Sequence, residues 1–176
     1  MPVTTSLQTK KKRRQVRRIF LTVNNRKIEL EVGDGPGQIV PSHTLAHTLR
    51  ETLGLTETKV SCDHGACGSC TVLIDGEPRL SCLTLTVECA EKTIITIEGL
   101  PDQEGNLDPL QQAFIDHNAF QCGFCTPGMI LSARALLSAH PSPSEDQITE
   151  ALSGHFCRCI SHYQVIKAVK SVSDKG

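Results

Sequence analysis

The run Cys62-Asp63-His64-Gly65-Ala66-Cys67-Gly68-Ser69-Cys70 carries the densest chemistry in the chain. Read as ligands it is C-x4-C-x2-C, and Cys82 is the next cysteine along. That is the spacing by which a plant-type loop holds a [2Fe–2S] cluster. Four sulfurs must converge on two neighbouring irons, so the steps between thiolates are short. The backbone must also curl around the cluster and turn amide N–H groups toward its sulfurs. Small residues that tolerate positive φ allow this, and Gly65, Ala66, Gly68 and Ser69 supply them. The plain alternative is a chance run of buried thiols, and the density of this one argues against it.

A second set lies further on. Cys122-Gly123-Phe124-Cys125 is an x2 pair and Cys157-Arg158-Cys159 an x1 pair. Each falls at an expected helix end, where two close pairs can meet and offer four thiolates. Thr126-Pro127 opens a helix beside the first pair, and its free N–H groups favour an anionic centre there. Spacing alone leaves two readings open here, an iron–sulfur cluster and a structural Zn(Cys)4 site. A Rieske-type centre is set aside, although Cys62-x-His64 begins like one; His64 reads as an exposed loop residue. The other histidines are scattered and are assigned no chemistry. Cys89, left over from the two sets, reads as an ordinary buried thiol. Asp63, Asp75, Asp102 and Asp116 sit in turn, linker or helix-surface contexts that fit solvated or capping roles. With no acid–base pair and no substrate pocket in view, the chain is not expected to catalyse a reaction alone.

The elements that must position these cysteines follow from periodicity. Ile19, Leu21 and Val23, then Ile28, Leu30 and Val32, recur every second residue around Asn24-Asn25, which predicts a β-hairpin. Thr44 can cap a helix facing inward through Leu45, Leu49 and Leu53 and stopped by Gly54. After the cysteine loop come a strand over 71–74, a turn at Asp75-Gly76, a return over 79–82 and a last strand over 93–97. A small sheet clasping one helix is a β-grasp arrangement. Residues 99–108, with Gly99, Pro101 and Gly105, read as a linker.

Helical signals follow. Asp108 caps and Pro109 opens a helix with Leu110 and Phe114 inward. Thr126-Pro127 opens a second, carrying Ile130, Ala133 and Leu137 and ending at His140-Pro141. Ser144 with Gln147 makes a capping box for a third, with Ile148 and Leu152 inward and Gly154 as its stop. A fourth starts near Tyr163, with Ile166 and Val169 on one face. The predicted fold class is α+β. A basic tail over 1–17 precedes an N-terminal β-grasp, plant-type ferredoxin-like domain over 18–98. The linker over 99–108 leads to a C-terminal four-helix-bundle domain over 109–172.

Composition bounds what such a chain does. Its 176 residues contain no Trp and one Tyr, so two half-sized cores would be thin, and a metal centre in each would add folding free energy. The cysteine spacing and odd count do not fit a secreted disulfide framework. A net charge of −1 supplies no global field for nucleic acid or an anionic membrane, and no apolar run is long enough to span a bilayer. Lys10, Lys11, Lys12, Arg13, Arg14, Arg17 and Arg18 crowd one segment. It reads as a solvated tail ahead of an arm for a partner subunit or an export signal. Arg17-Arg18-Ile19-Phe20-Leu21 looks like a twin-arginine motif, but a polar, turn-like stretch follows where an apolar one is needed. The expected location is the cytoplasm.

Four stretches together carry a specific resemblance. They are Cys62 to Val72, Ser81-Cys82-Leu83, Gln121-Cys122-Gly123-Phe124-Cys125-Thr126-Pro127-Gly128-Met129, and Leu152-Ser153-Gly154-His155-Phe156-Cys157-Arg158-Cys159. In these the chain resembles the small iron–sulfur subunit of the molybdenum hydroxylases, the xanthine dehydrogenase and aldehyde oxidase family, from about residue 17 to about 170. The resemblance implies one [2Fe–2S] cluster on Cys62, Cys67, Cys70 and Cys82, and another on Cys122, Cys125, Cys157 and Cys159. It implies a large partner subunit whose molybdopterin lies beside the second cluster, with Gln121 matching the glutamine that reaches toward the pterin. It also implies a medium subunit whose FAD lies nearer the first. Electrons would run from molybdenum through the two clusters to FAD. The substrate belongs to the large subunit's pocket.

One departure stands out: Cys159 is followed by Ile160-Ser161-His162-Tyr163, one residue longer than the family's usual step to tyrosine and without its glycine. Ligation by Cys157 and Cys159 should survive it, while the local hydrogen bonds and the potential they tune are open to change. Arg158, between two ligands, either biases its cluster or makes a surface ion pair. The competing functions are a free-standing two-cluster carrier, which would be isolated alone, and a colourless zinc-stabilised interaction module.

Overall fold

The computed structural model describes residues 17–173. The basic segment over 1–16 lies outside the described residues. Arg17, counted with the tail on sequence grounds, instead starts the first strand and pairs with Val32.

Strand β1 (Arg17–Val23) runs antiparallel to β2 (Arg26–Val32), with Ile19 opposite Leu30 and Leu21 opposite Ile28. The turn between them works because Asn24 and Asn25 adopt φ of 48° and 63°, the left-handed conformation a tight hairpin needs. β3 (Thr71–Ile74) and β4 (Glu77–Leu80) form a second hairpin, and β5 (Thr93–Ile95) joins the two halves. The sheet order is β2-β1-β5-β3-β4, with β1 and β5 parallel and the other neighbours antiparallel. The alternation read from the sequence puts Ile19, Leu21, Val23, Leu30 and Val32 on one face. There they close on Ile39, Leu45, Leu49, Val72 and Ile94.

The helix over that face differs from the expectation. Thr44 does cap it, its Oγ1 accepting the His47 N–H at 3.2 Å. After α1 (Leu45–His47), however, the chain widens into a π turn over Thr48–Thr52. The wider turn is closed by the Leu53 N–H on the Thr48 carbonyl, and Arg50 ties the segment to the carbonyls of Thr56 and Thr58. Leu45 and Leu49 are fully buried by it, whereas Leu53 stays partly exposed.

Two strands are also offset from their predicted spans. The return strand is Glu77–Leu80, not 79–82; it lies at the sheet edge, where Pro78 is tolerated, and so Cys82 falls beyond it. β5 stops at Ile95, not 97, because the Thr96 N–H turns away to Asn24 Oδ1 at 2.9 Å.

The chain then crosses to α2 (Pro109–Asp116), α3 (Thr126–Ala139), α4 (Glu145–Leu152) and α5 (His162–Ser173). Capping boxes at Asp108 with Gln111 and at Ser144 with Gln147 start α2 and α4. Neighbouring pairs are α2 with α5, α5 with α4, α4 with α3 and α3 with α2. Their shared core holds Leu110, Phe114, Met129, Ile148, Leu152, Val165 and Val169. Along α5 the buried stripe is Val165, Ala168 and Val169; Ile166, expected inward, is only partly covered. Ile97 and Leu100 from the connection pack on this core as well. Gly154 does not end α4 in a left-handed turn; Ser153 is its cap. The two halves are in contact, since α3 packs against β3 and β4 as well as against α2 and α4.

Candidate metal centres

The loop over 62–70 curls as the sequence demands, with φ of +55° at Asp63, +81° at Gly65 and +76° at Gly68. The curl turns N–H groups inward: Ala66 N–H points at Cys62 Sγ, 3.3 Å away. The N–H groups of His64, Cys67 and Ala66 and the Cys67 thiol together hold the Cys62 thiol down at about 6, with His64 the largest contributor. Cys70 and Cys82 are a second thiol pair, both buried. Burial and the adjoining Cys70 push Cys82 up to about 12. Ser81 Oγ donates to the Cys70 carbonyl at 2.6 Å, and the Ala46 N–H of α1 holds the Ser81 carbonyl at 3.1 Å. The helix under the sheet therefore fixes the segment that brings Cys82 to the loop.

The second set is built from helix ends. Cys125 caps α3 and is buried, while Cys122 is exposed. Cys157 and Cys159 come from the loop between α4 and α5. Cys159 Sγ lies 3.6 Å from Cys122 Sγ, and Cys125 contacts Cys157. The Phe124 N–H, then the Cys159 thiol, lower Cys122; that same contact raises Cys159. Burial pushes Cys125 up to about 12, as it does Cys82 in the first set.

All nine cysteines are free thiols. Eight of them stand as four pairs: Cys62 with Cys67, Cys70 with Cys82, Cys122 with Cys159, and Cys125 with Cys157. A single zinc takes four thiolates around one point, whereas a binuclear cluster takes one pair at each metal atom. The donor set and its pairing fit two [2Fe–2S] clusters. The buried thiols Cys82 and Cys125 are costly to ionise until a metal cation faces them, and loading releases their protons.

The remaining sequence expectations find definite places. Cys89 is 1% exposed, and burial raises its thiol to about 11. His64 is exposed. Asp75 holds Lys92 and the Thr93 N–H, Asp102 accepts from Glu104 and Asn106, and Asp116 accepts from Gln112. Asp63 is an exposed turn residue. Gln121 and Arg158 are exposed beside the second set. Phe120, Phe124, Phe156 and Tyr163 from the same segments are exposed too, Phe156 to 70%. Cys159-Ile160-Ser161-His162 carries the Cys-x2-His spacing of a Rieske half-site, which the motif reading passes over. The structure pairs Cys159 with Cys122 instead, and His162 begins α5.

His155 is the residue that sequence reasoning misses. It is 5% exposed, and burial together with the charge of His162 lowers its pKa to about 4, so the ring is neutral. No local pattern marks it, because its neighbours come from α3 and from the loop over 62–70.

Comparisons with known proteins point to two [2Fe–2S] binding domains. Residues 43–115 match the family described as a 2Fe-2S iron-sulfur cluster binding domain, and residues 96–170 match a [2Fe-2S] binding domain. The chain is 49% identical over 126 residues to the nicotine 6-hydroxylase small subunit of Paenarthrobacter nicotinovorans, covering 72% of this chain and 75% of that one. It is 45% identical over 159 residues to caffeine dehydrogenase subunit gamma of a Pseudomonas species, covering 88% and 90%. The crystal structure of quinoline 2-oxidoreductase from Pseudomonas putida 86 superposes with a TM-score of 0.82 at 43% identity, over 91% of this chain and 95% of that one. With two matched cluster-binding domains and relatives of this identity along most of its length, the chain belongs to the small [2Fe–2S] iron–sulfur subunits of the molybdenum hydroxylase family, that of xanthine dehydrogenase and aldehyde oxidase.

Proposed function

We propose that Cys62, Cys67, Cys70 and Cys82 hold one cluster and Cys122, Cys125, Cys157 and Cys159 the other. In this reading the chain relays electrons from a molybdopterin-bearing large subunit to an FAD-bearing medium subunit. The observation that carries it is the four thiol pairs, two in each half, set on loops that touch one another. When bound, the clusters supply two one-electron centres in series, which lets a two-electron oxidation drain stepwise.

The chain's own residues hold and insulate those centres. The N–H groups of His64, Ala66 and Cys67 stabilise negative charge on Cys62, and the Phe124 N–H does so on Cys122. Cys70, Cys82 and Cys125 sit away from water. Exposed Cys122 and Cys159, in segments that also expose Phe120, Phe124, Phe156 and Tyr163, belong to the face that meets the large subunit, and exposed Gln121 reaches from it toward the pterin. Aromatic area of this kind is what interfaces bury.

The sheet half is a β-grasp domain over 17–98 and the helical half a four-helix bundle over 109–172, joined by the linker over 99–108. The chain works in the cytoplasm: Arg17 to Leu21, the stretch that looks like an export motif, forms β1, and its removal would strip the sheet of a strand. Among the described residues, no helix is long and apolar enough to cross a membrane.

The test is iron, zinc and acid-labile sulfide per chain in the complex purified without chelator, with its subunit content. About four iron and four sulfide, no zinc, and co-purifying large and medium chains are expected. About two iron with one zinc, or isolation of a single chain, would overturn the proposal.

A further inference from the structure

His155 is enclosed between α3 and the loop over 62–70. Its Nε2 lies 2.8 Å from Ser132 Oγ on α3. Among the described residues its Nδ1 is buried without a hydrogen-bond partner. That nitrogen faces Gly68: a methyl on Gly68 would stand 2.6 Å from it and 2.7 Å from the Gly154 carbonyl. One residue on, the Phe156 N–H donates to the Cys67 carbonyl at 3.1 Å. Gly128 of α3 backs onto the same spot, where a methyl would fall 2.5 Å from the Gly68 carbonyl. The seam is thus backbone against backbone, with a single imidazole set into it.

A leucine would fill that space without leaving a polar nitrogen bare, so packing alone does not account for the residue. What an imidazole adds is a fixed ring orientation, because Ser132 holds one of its nitrogens. Neither Gly68 nor Gly128 has a side chain that could take up a slip. Any movement at the seam passes to Cys67 and, through Phe156, to Cys157.

We propose that His155, held by Ser132, is a positioning residue that sets the approach of the Cys62–Cys70 loop to the Cys157–Cys159 loop, and with it the coupling between the two clusters. The proposal rests on the reading of the eight cysteines as ligands.

The experiment uses the assembled complex carrying Ser132→Ala, His155→Leu, His155→Gln or Gly128→Ala. Three quantities are read: iron and labile sulfide, the midpoint potentials and spin–spin splitting of the reduced clusters by electron paramagnetic resonance, and amide exchange at Phe156. Ser132→Ala and His155→Leu should keep about four iron and four sulfide per chain. Both should alter the splitting, shift the potential of the cluster in the sheet half, and speed Phe156 exchange about tenfold. Gly128→Ala, a wedge from the other side, should alter the same splitting. His155→Gln, whose amide can reach Ser132, should return it toward the unmodified value.

Unchanged splitting and potentials in Ser132→Ala and His155→Leu at full iron would overturn the proposal. If His155→Leu does not assemble, Ser132→Ala, which removes one hydroxyl, decides alone. An unmodified complex holding about two iron sinks the ligand reading itself, and is told apart because no variant enters that comparison.

Discussion

Cys82 and Cys125 are the thiols on which each cluster proposal is most exposed to test. Both are buried, and both are pushed up to about 12, so neither ionises near neutrality without a metal facing it. Replacing Cys125 with Ser puts a harder, poorer iron ligand in the same space. We expect the loss of about two iron and two sulfide per chain, with the resonance of the sheet-half cluster retained. Loss of both signals, or of neither, would contradict the division of ligands.

A second residue-scale effect is electrostatic. The Lys92 ammonium, with the Thr93 N–H, holds the Asp75 carboxyl below its ordinary range. A depressed folded-state pKa stabilises the fold above the unfolded value of Asp and loses that contribution as pH falls through the folded one. Asp75→Asn should therefore narrow the stability gap between neutral and acidic pH, measured as the thermal midpoint against pH.

At the scale of the element, the second cysteine set depends on where helices begin. Asp108 is buried at the start of α2, accepts the Leu110 N–H at 2.9 Å and lies 3.9 Å from Arg134 of α3. One side chain thereby starts one helix and ties it to the helix that Cys125 caps. Asp108→Ala removes a cap and strands the capping-box partner Gln111, a loss of about 1–2 kcal/mol. For a chain of this size that lowers the thermal midpoint by roughly 2–8 °C. A midpoint unchanged in the holo complex would show that the cap is not contributing.

The cluster loop is legible for a related reason. Its spacing and small residues are local requirements, so the run Cys62 to Cys70 could be read directly. The return to Cys82 was placed in a strand and lies just past one, because the two-residue turn at Asp75-Gly76 starts the return at Glu77 and the strand ends at Leu80. The π turn after α1 was not legible at all: the Leu53 N–H closes it on the Thr48 carbonyl and Arg50 ties it to the carbonyls of Thr56 and Thr58, none of which apolar periodicity encodes.

On the scale of the whole molecule, the two halves share a packed boundary. α3 lies on β3 and β4, and Ile97 and Leu100 from the connection sit in the helical core. Phe114, 1% exposed at the centre of that core, is the side chain whose loss should be felt most. Phe114→Ala is expected to cost about 3–5 kcal/mol. Because the boundary is shared, the helical far-ultraviolet signal and the visible absorbance of both clusters should fall at one lowered temperature. Two separated transitions would show that the halves unfold independently.

Local chemistry in the sequence determined most of what bears on function. Cysteine spacing, capping boxes and period-2 alternation each act over a few residues, so the two cysteine sets, four of the helix starts and the first hairpin could be read without coordinates. Tertiary structure decided what no short window contains. It paired Cys122 with Cys159 across 37 residues, brought Gly68 against Gly128, and buried His155 with a bare nitrogen between them. The physical reason is the range of the forces involved: backbone and capping preferences are set within a turn, while a buried seam exists only once two halves of the chain exclude water from the same place.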